Sequence, residues 1–371
     1  MKITKLFFAI IIAAFLNSCA NEDFEPQIPK PSGKYESGAF VLNEGTGGNS
    51  SVSFISNDLN TFENDAFGAV NPAAILGNTP QSICFNGDLA YIVVNGANKI
   101  QIVNRNTMLK VGEITAGLSN PRYMVIANGQ GYVTNWGTVT FSTPQVPEVT
   151  PDDFVAVINL TTNTVSSTIP VVEGPERIVA NGNNLYVAQK GGYYFGNSIT
   201  VINSTTLAKT TISTGDLPTS MLISNGSLWV LCKGNPNYAP IETAGKLQKI
   251  SLTTNAIIET FNFSSATIHP ENLELFNNKF YYTIDSGIYR MNLTPAASIA
   301  LPTTPIFSTP IQNVYGFAVK SDRIYVSGYN SFIDPGKIEV FSAGELNDPP
   351  TGTLLKSFTV GIGPNGFYFN Q

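Results

Sequence analysis

Histidine is almost missing from this chain: its 371 residues include one, His269. That excludes a metal or haem centre held by several imidazoles. Charge is also scarce, with Asp, Glu, Lys and Arg at 12% of residues. This is about half the share of an average soluble domain, and it disfavours coiled coils and helical bundles. A basic excess is lacking too. The formal net charge is −6, which disfavours nucleic acid as a partner because phosphate binding needs a basic surface. There are three cysteines, and the only long apolar run, residues 6–16, is too short to span a bilayer. What the chain does have is 43% hydrophobic residues, 11% aromatics, 32 Gly and 23 Pro. Such a composition buries a core and is not that of a disordered chain.

Lys2 and Lys5 precede the apolar run, and Leu16-Asn17-Ser18-Cys19 closes it. A basic start, a short apolar stretch and a small residue before the cut describe a secretory signal over residues 1–18. The closing Cys makes it look like a bacterial lipoprotein signal, with Cys19 lipidated, although Asn17 departs from the usual small residue. The acidic Glu22-Asp23-Phe24-Glu25 resembles an export signal to the outer face of the outer membrane. Residues 19–37 read as a flexible tether. The expectation is an outer-membrane protein facing the exterior and held only by its lipid.

The remainder, residues 38–371, is one repeat. A proline is followed eleven residues later by an aromatic in Pro80/Tyr91, Pro121/Tyr132, Pro175/Tyr186, Pro218/Trp229 and Pro270/Tyr281. Val314/Tyr325 keeps the spacing, and Pro364 opens a further copy. Turn pairs such as Asn86-Gly87, Asn128-Gly129 and Asn225-Gly226 sit between start and aromatic, and Asn-Gly suits tight hairpins. A third segment alternates apolar residues and ends on Asn or Ser, as in Ile100-x-Ile102-x-Asn104. Four strands per 41 to 54 residues and seven starts predict an all-β, seven-bladed propeller. The last blade is expected to combine Pro364–Phe369 with strands from residues 38–56, closing the ring and hiding its edges. Cys84 and Cys232 then fall in different blades, as two buried thiols.

Tyr132-Val133-Thr134-Asn135 is a literal YVTN, with relatives at Tyr91-Ile92-Val93-Val94, Tyr186-Val187-Ala188-Gln189 and Tyr325-Val326-Ser327-Gly328. Residues 38–371 therefore resemble the YVTN-repeat (YncE-like) propeller family. Phe40-Val41-Leu42-Asn43-Glu44-Gly45, Pro80-Gln81-Ser82, Tyr91-Ile92-Val93-Val94-Asn95 and Ser119-Asn120-Pro121-Arg122-Tyr123 look like surface lipoprotein propellers that capture cobalamin. That resemblance implies a corrinoid-like small molecule as ligand and a TonB-dependent outer-membrane transporter as partner.

Chain direction puts the inner-strand starts and the loops between second and third strands on one face. Polar candidates from the starts are Gln81, Arg122, Tyr123, Glu176, Arg177, Thr219, Glu271 and Asn272, with Glu44, Asn95, Lys190, Lys233 and Asp285 from strand ends. The long loops add Trp136, Tyr193, Tyr194, Tyr238 and Tyr329 as aromatic contacts. The ligand-binding set expected is Gln81, Arg122, Tyr123, Trp136, Arg177, Tyr193, Tyr194, Tyr238, Glu271 and Tyr329. The charged members can equally pair with one another around the channel. His269 lies near this face, where ordinary turn structure is the favoured role. No Gly-x-Ser-x-Gly, phosphate loop or His-Glu-x-x-His occurs. The expectation is a capture protein without enzymatic activity, cofactor or metal; the alternatives are a surface interaction scaffold and a propeller lyase or lactonase.

Overall fold

The computed structural model describes residues 33–143, 146–148, 150–293, 300–346 and 349–371. The expected signal 1–18, Cys19 and the tether up to residue 32 lie outside the described residues. Seven four-stranded antiparallel sheets form the blades of a β-propeller. Blade 1 runs outward through Pro80–Asn86, Leu89–Val94, Lys99–Asn104 and Lys110–Ile114. The inner strands of blades 2 to 6 are Pro121–Ala127, Pro175–Asn181, Pro218–Ser224, Glu271–Phe276 and Val314–Lys320. Blade 7 joins the inner strand Pro364–Asn370 to Gly38–Asn43, Ser51–Ser56 and Phe62–Glu63. The two ends of the propeller thus share one sheet, as the repeat predicts. An extra hairpin, Thr140–Thr143 with Val146–Glu148, is inserted in blade 2.

Each sheet is buried on both faces. Along Leu89–Val94, residues Ala90, Ile92 and Val94 join the apolar cluster shared with blade 7, while Tyr91 and Val93 join the one shared with blade 2. Side chains alternate across a strand, so a strand between two neighbours must be apolar at every position. The repeated aromatic has a second task. Tyr91 Oη donates to Asn163 Oδ1 of blade 2 at 3.3 Å, and Tyr186 Oη of blade 3 donates to Asn255 Oδ1 of blade 4 at 2.9 Å. Both acceptors sit at positive φ in the turn between third and outer strands. The ring fills the inter-blade core, and the hydroxyl, satisfied at its edge, latches two blades together.

The turns follow the expected chemistry. Asn104, Asn159 and Asn203 each accept two backbone N–H bonds from the residues two and three further on. Asn128-Gly129 and Asn225-Gly226 have positive φ at both residues, as a type I′ hairpin needs. In blades 1 and 3 the Asn stays in the strand, and Gly87 and Gly182 take the first positive φ.

The ring also takes up residues 33–37, the end of the expected tether. Tyr35 is fully buried against Phe40 and Phe54, with ring centroids 6.1 and 5.0 Å away. Its N–H donates to the Asn106 carbonyl, and its carbonyl accepts from Asn370 Nδ2. Cys84 and Cys232 are free thiols in blades 1 and 4. Cys232 is buried, whereas Cys84 is only half-buried, which corrects the expectation of two buried thiols; desolvation pushes each thiol up to about 12 and disfavours its thiolate.

Candidate functional site

Every inner strand breaks register with its neighbour near its start, between Pro80/Ser82, Pro121/Met124, Pro175/Ile178, Pro218/Ser220, Glu271/Glu274 and Val314/Gly316. Blade 7 does the same between Pro364 and Phe367. A bulge sets two residues against one and re-aims side chains. Consecutive pairs therefore reach the same channel: Arg122 with Tyr123, Glu176 with Arg177, Thr219 with Ser220 and Glu271 with Asn272. With Gln81, Lys190, Tyr315 and Asn365 they line a cavity of about 190 Å³ at the mouth.

Charge is arranged in layers around this cavity. Arg122 makes a two-pronged bond to Glu176, Nε to Oε2 at 3.0 Å and Nη2 to Oε1 at 2.8 Å. Both side chains are largely buried. Burial, the largest single influence, would raise the Glu176 carboxyl, but the charges of Arg122, Lys190 and Arg177 and the bonds from Arg122 together outweigh it and hold the group below its ordinary range. Trp136 lies behind this pair, its ring 4.1 Å from the Arg122 guanidinium and 5.6 Å from Lys190 Nζ. Arg177 stacks on Tyr123 at 4.1 Å, and Tyr123 Oη accepts from Gln81 Nε2 at 3.1 Å. Lys233 Nζ bonds Glu271 Oε1 at 2.5 Å. Glu44 Oε1 accepts from Tyr315 Oη at 2.7 Å and Asn365 Nδ2 at 3.1 Å. Deeper in, Glu274 lines a smaller cavity with Arg177, and burial pushes its carboxyl up to about 7 against the pull of that arginine.

Gln81, Arg122, Tyr123, Arg177 and Glu271 are thus brought together, in the places the repeat assigns them. The loop aromatics divide. Tyr193 is 58% and Tyr238 80% exposed at the rim. Trp136 is only 8% exposed, which corrects its assignment as an open contact. Its indole is a platform under two cations and meets Tyr193 edge-on at 5.5 Å. Tyr194 lies beside it against a narrow cleft, away from the main cavity. Tyr329 packs on Phe332 at 4.1 Å and on Tyr315 at 5.2 Å, so it supports the wall rather than forming it. Of the expected ion pairs, Arg122–Glu176 forms, whereas Glu271 chooses Lys233. His269 holds a turn: Nδ1 lies 3.2 Å from the Lys233 carbonyl and Nε2 3.3 Å from Glu242 Oε1.

Ser220, Tyr315, Asn365 and Glu274 are missing from the sequence-based set. The first three occupy the first or second place after Pro218, Val314 and Pro364. Carrying the register of Arg122 and Arg177 around all seven copies finds them. Glu274 faces inward one bulge deeper and has no such signal.

No curated protein matches this chain. Among solved structures it resembles a functionally unknown protein from Desulfotomaculum acetoxidans, at 12% identity over 89% of this chain and 98% of that one, with a TM-score of 0.62. A supposed 6-phosphogluconolactonase from Bacteroides fragilis is 12% identical over 92% of this chain and 99% of its own, with a TM-score of 0.60. Hydrazine synthase of Kuenenia stuttgartiensis is 16% identical over 77% and 88%, with a TM-score of 0.58. Identities this low establish the propeller and nothing about activity. Residues 37–343 match the family described as a domain of unknown function (DUF5074), so the chain is a DUF5074 propeller.

Proposed function

We propose that this propeller is a non-catalytic surface lipoprotein that captures an extracellular ligand at its funnel mouth and passes it to a TonB-dependent outer-membrane transporter. Cobalamin or a related corrinoid is the ligand proposed. The observation that carries capture is the convergence of bulged, polar inner-strand starts on one cavity beneath a rim of exposed aromatics. A cavity of about 190 Å³ takes a polar arm of such a ligand, and Tyr193, Tyr238 and Phe332 offer flat apolar area for its body. The choice of a corrinoid and of the transporter rests on the motifs at residues 40–45, 80–82, 91–95 and 119–123. The reading without catalysis rests on the lack of a Gly-x-Ser-x-Gly, phosphate-loop or His-Glu-x-x-His motif.

Calorimetry of the full chain with cyanocobalamin tests the ligand; absence of heat at high micromolar concentration would overturn it. One observation favours a second reading. Ile241 and Ile333, 72% and 78% exposed, add apolar surface to the same rim, as a protein-binding scaffold needs. Recovery from outer membranes of a stable partner other than a transporter would favour the scaffold.

A further inference from the structure

We infer that the funnel binds an oxyanion, a carboxylate or phosphate group carried by its ligand, with Arg177 and Lys190 as the cationic contacts. This rests on the reading of the mouth as a ligand site and adds the charge of what enters it.

The chain as a whole is acidic, at −6, yet the cavity lining is not. Arg122, Arg177 and Lys190 line it against Glu176 and Glu271. Both carboxylates already have partners: Glu176 is held by Arg122 and Glu271 by Lys233. Arg177 and Lys190 are left. Neither side chain makes a hydrogen bond or salt bridge to a described residue. The Arg177 guanidinium carbon lies 4.1 Å from the Tyr123 ring centroid, a contact that uses none of its N–H donors in hydrogen bonds. Lys190 has its ammonium over the edge of the Trp136 platform, and burial lowers its pKa despite nearby Glu176. Two half-buried cations facing the channel, neither with a hydrogen-bonded counter-ion, make the lining attractive to an anionic group, although the Arg177 charge is already favoured by nearby Glu176 and Glu274.

Glu274 offsets Arg177 only in part, because burial pushes its carboxyl up to about 7. A third group points the same way. Thr219 Oγ1 is buried on the cavity wall without a hydrogen-bond partner. A planar donor fork, a point charge and a hydroxyl are the contacts that carboxylates and phosphates take. A cationic ligand, by contrast, would find both lining carboxylates occupied.

The test uses the full chain and simple probes: sodium acetate and inorganic phosphate, titrated at low ionic strength by calorimetry and by tryptophan fluorescence, with Trp229→Phe isolating the Trp136 signal. The proposal expects binding that weakens as sodium chloride rises. Arg177→Gln with Lys190→Gln should weaken it by about tenfold or more, whereas Lys356→Gln, an exposed cation on an outer strand, should leave it within about twofold. Thr219→Val should weaken it by about three- to fivefold. A preference for acetate or for phosphate identifies which group the ligand carries. Arg177→Lys with Lys190→Arg keeps the charge and should retain binding, which separates loss of the site from loss of fold. Failure of both probes to bind, or equal binding by the doubly neutralised variant, overturns the inference. Cyanocobalamin bound equally by the wild type and that variant would overturn the anion site and leave capture standing. Probes that bind without any corrinoid affinity would do the reverse.

Discussion

On the hairpin face, Asn128, Gly129, Asn225 and Gly226 turn each chain back in two residues, and the nearby side chains satisfy one another. On the funnel face, the bulges aim pairs of polar residues inward, and Thr219 Oγ1, Trp136 Nε1 and Asn365 Oδ1 are buried without partners. The first face obeys the repeat in nearly every blade. The second shares only its backbone from blade to blade, since the position after each start holds Gln81, Arg122, Glu176, Thr219, Glu271, Tyr315 or Asn365. One face serves folding. The other is where unsatisfied polar groups are tolerated, which is the usual cost of a binding site.

The largest expected effect breaks the comparison directly. Glu176→Ala leaves the Arg122 guanidinium buried beside Trp136 with no counter-charge. It should cost about 3–5 kcal/mol in denaturant unfolding. Asn128→Ala, on the hairpin face, should cost about 1–2 kcal/mol, since Ala there adopts a positive φ. Equal losses would mean that the mouth is held by loops rather than by this pair.

Glu274 gives the second effect, and its sign is fixed by direction. Its carboxyl titrates at about 7 in the folded chain against an ordinary 4.5. The fold therefore prefers the protonated form. That stability is fully present below about pH 4.5 and is lost as pH rises through 7. Glu274→Gln cannot ionise, so it should match the wild type near pH 4.5 and exceed it at pH 8. Partial solvent access limits the gain to about 1–2 kcal/mol. Thermal melts at the two pH values check it; a gap that widens toward acid would contradict the placement of this carboxyl. Asp153, also raised by burial to about 7, should follow the same course in blade 2.

This contrast explains what could be read in advance. The proline-to-aromatic spacing of eleven works because each Tyr or Trp must fill an inter-blade core, a demand the ring repeats. Tyr91 and Tyr186 meet it with the same bond to an Asn in the next blade's turn. Gln81, Arg122 and Arg177 were legible because they stand at fixed distances from a start. Trp136 was not, because an aromatic in a long loop looks the same whether it faces solvent or lies under a guanidinium. The pairing of Lys233 with Glu271 was equally hidden, since it joins the end of one blade's second strand to the start of the next blade. The bulges themselves have no composition of their own in the sequence. Only the paired strands reveal them.

A third test sits inside the repeated architecture. Tyr186→Phe keeps the ring in its core and removes the bond from Tyr186 Oη to Asn255 Oδ1. It should cost about 1 kcal/mol, because one partly buried neutral hydrogen bond is lost and Asn255 can turn to water. Ligand binding should not change. A binding loss here would mean that blade spacing controls the mouth, and the two faces could no longer be treated as separate.

The smallest stability effect bears most directly on function. Tyr238 is 80% exposed, and its nearest aromatic, Phe195, is 6.2 Å away between ring centroids. So open a side chain contributes little to the fold, and Tyr238→Ala should shift unfolding by no more than about 0.5 kcal/mol. Rim aromatics in binding sites can nevertheless carry about 1–2 kcal/mol of affinity, because a rigid ring gains contact area at low entropic cost. Tyr238→Ala should therefore weaken cyanocobalamin binding by about tenfold while leaving the melt unchanged. The same substitution at Tyr186 would reverse the pattern, with a large stability loss. If Tyr238→Ala alters neither property, the rim loop of blade 4 is surface alone, and the ligand contacts retreat to the bulged strand starts.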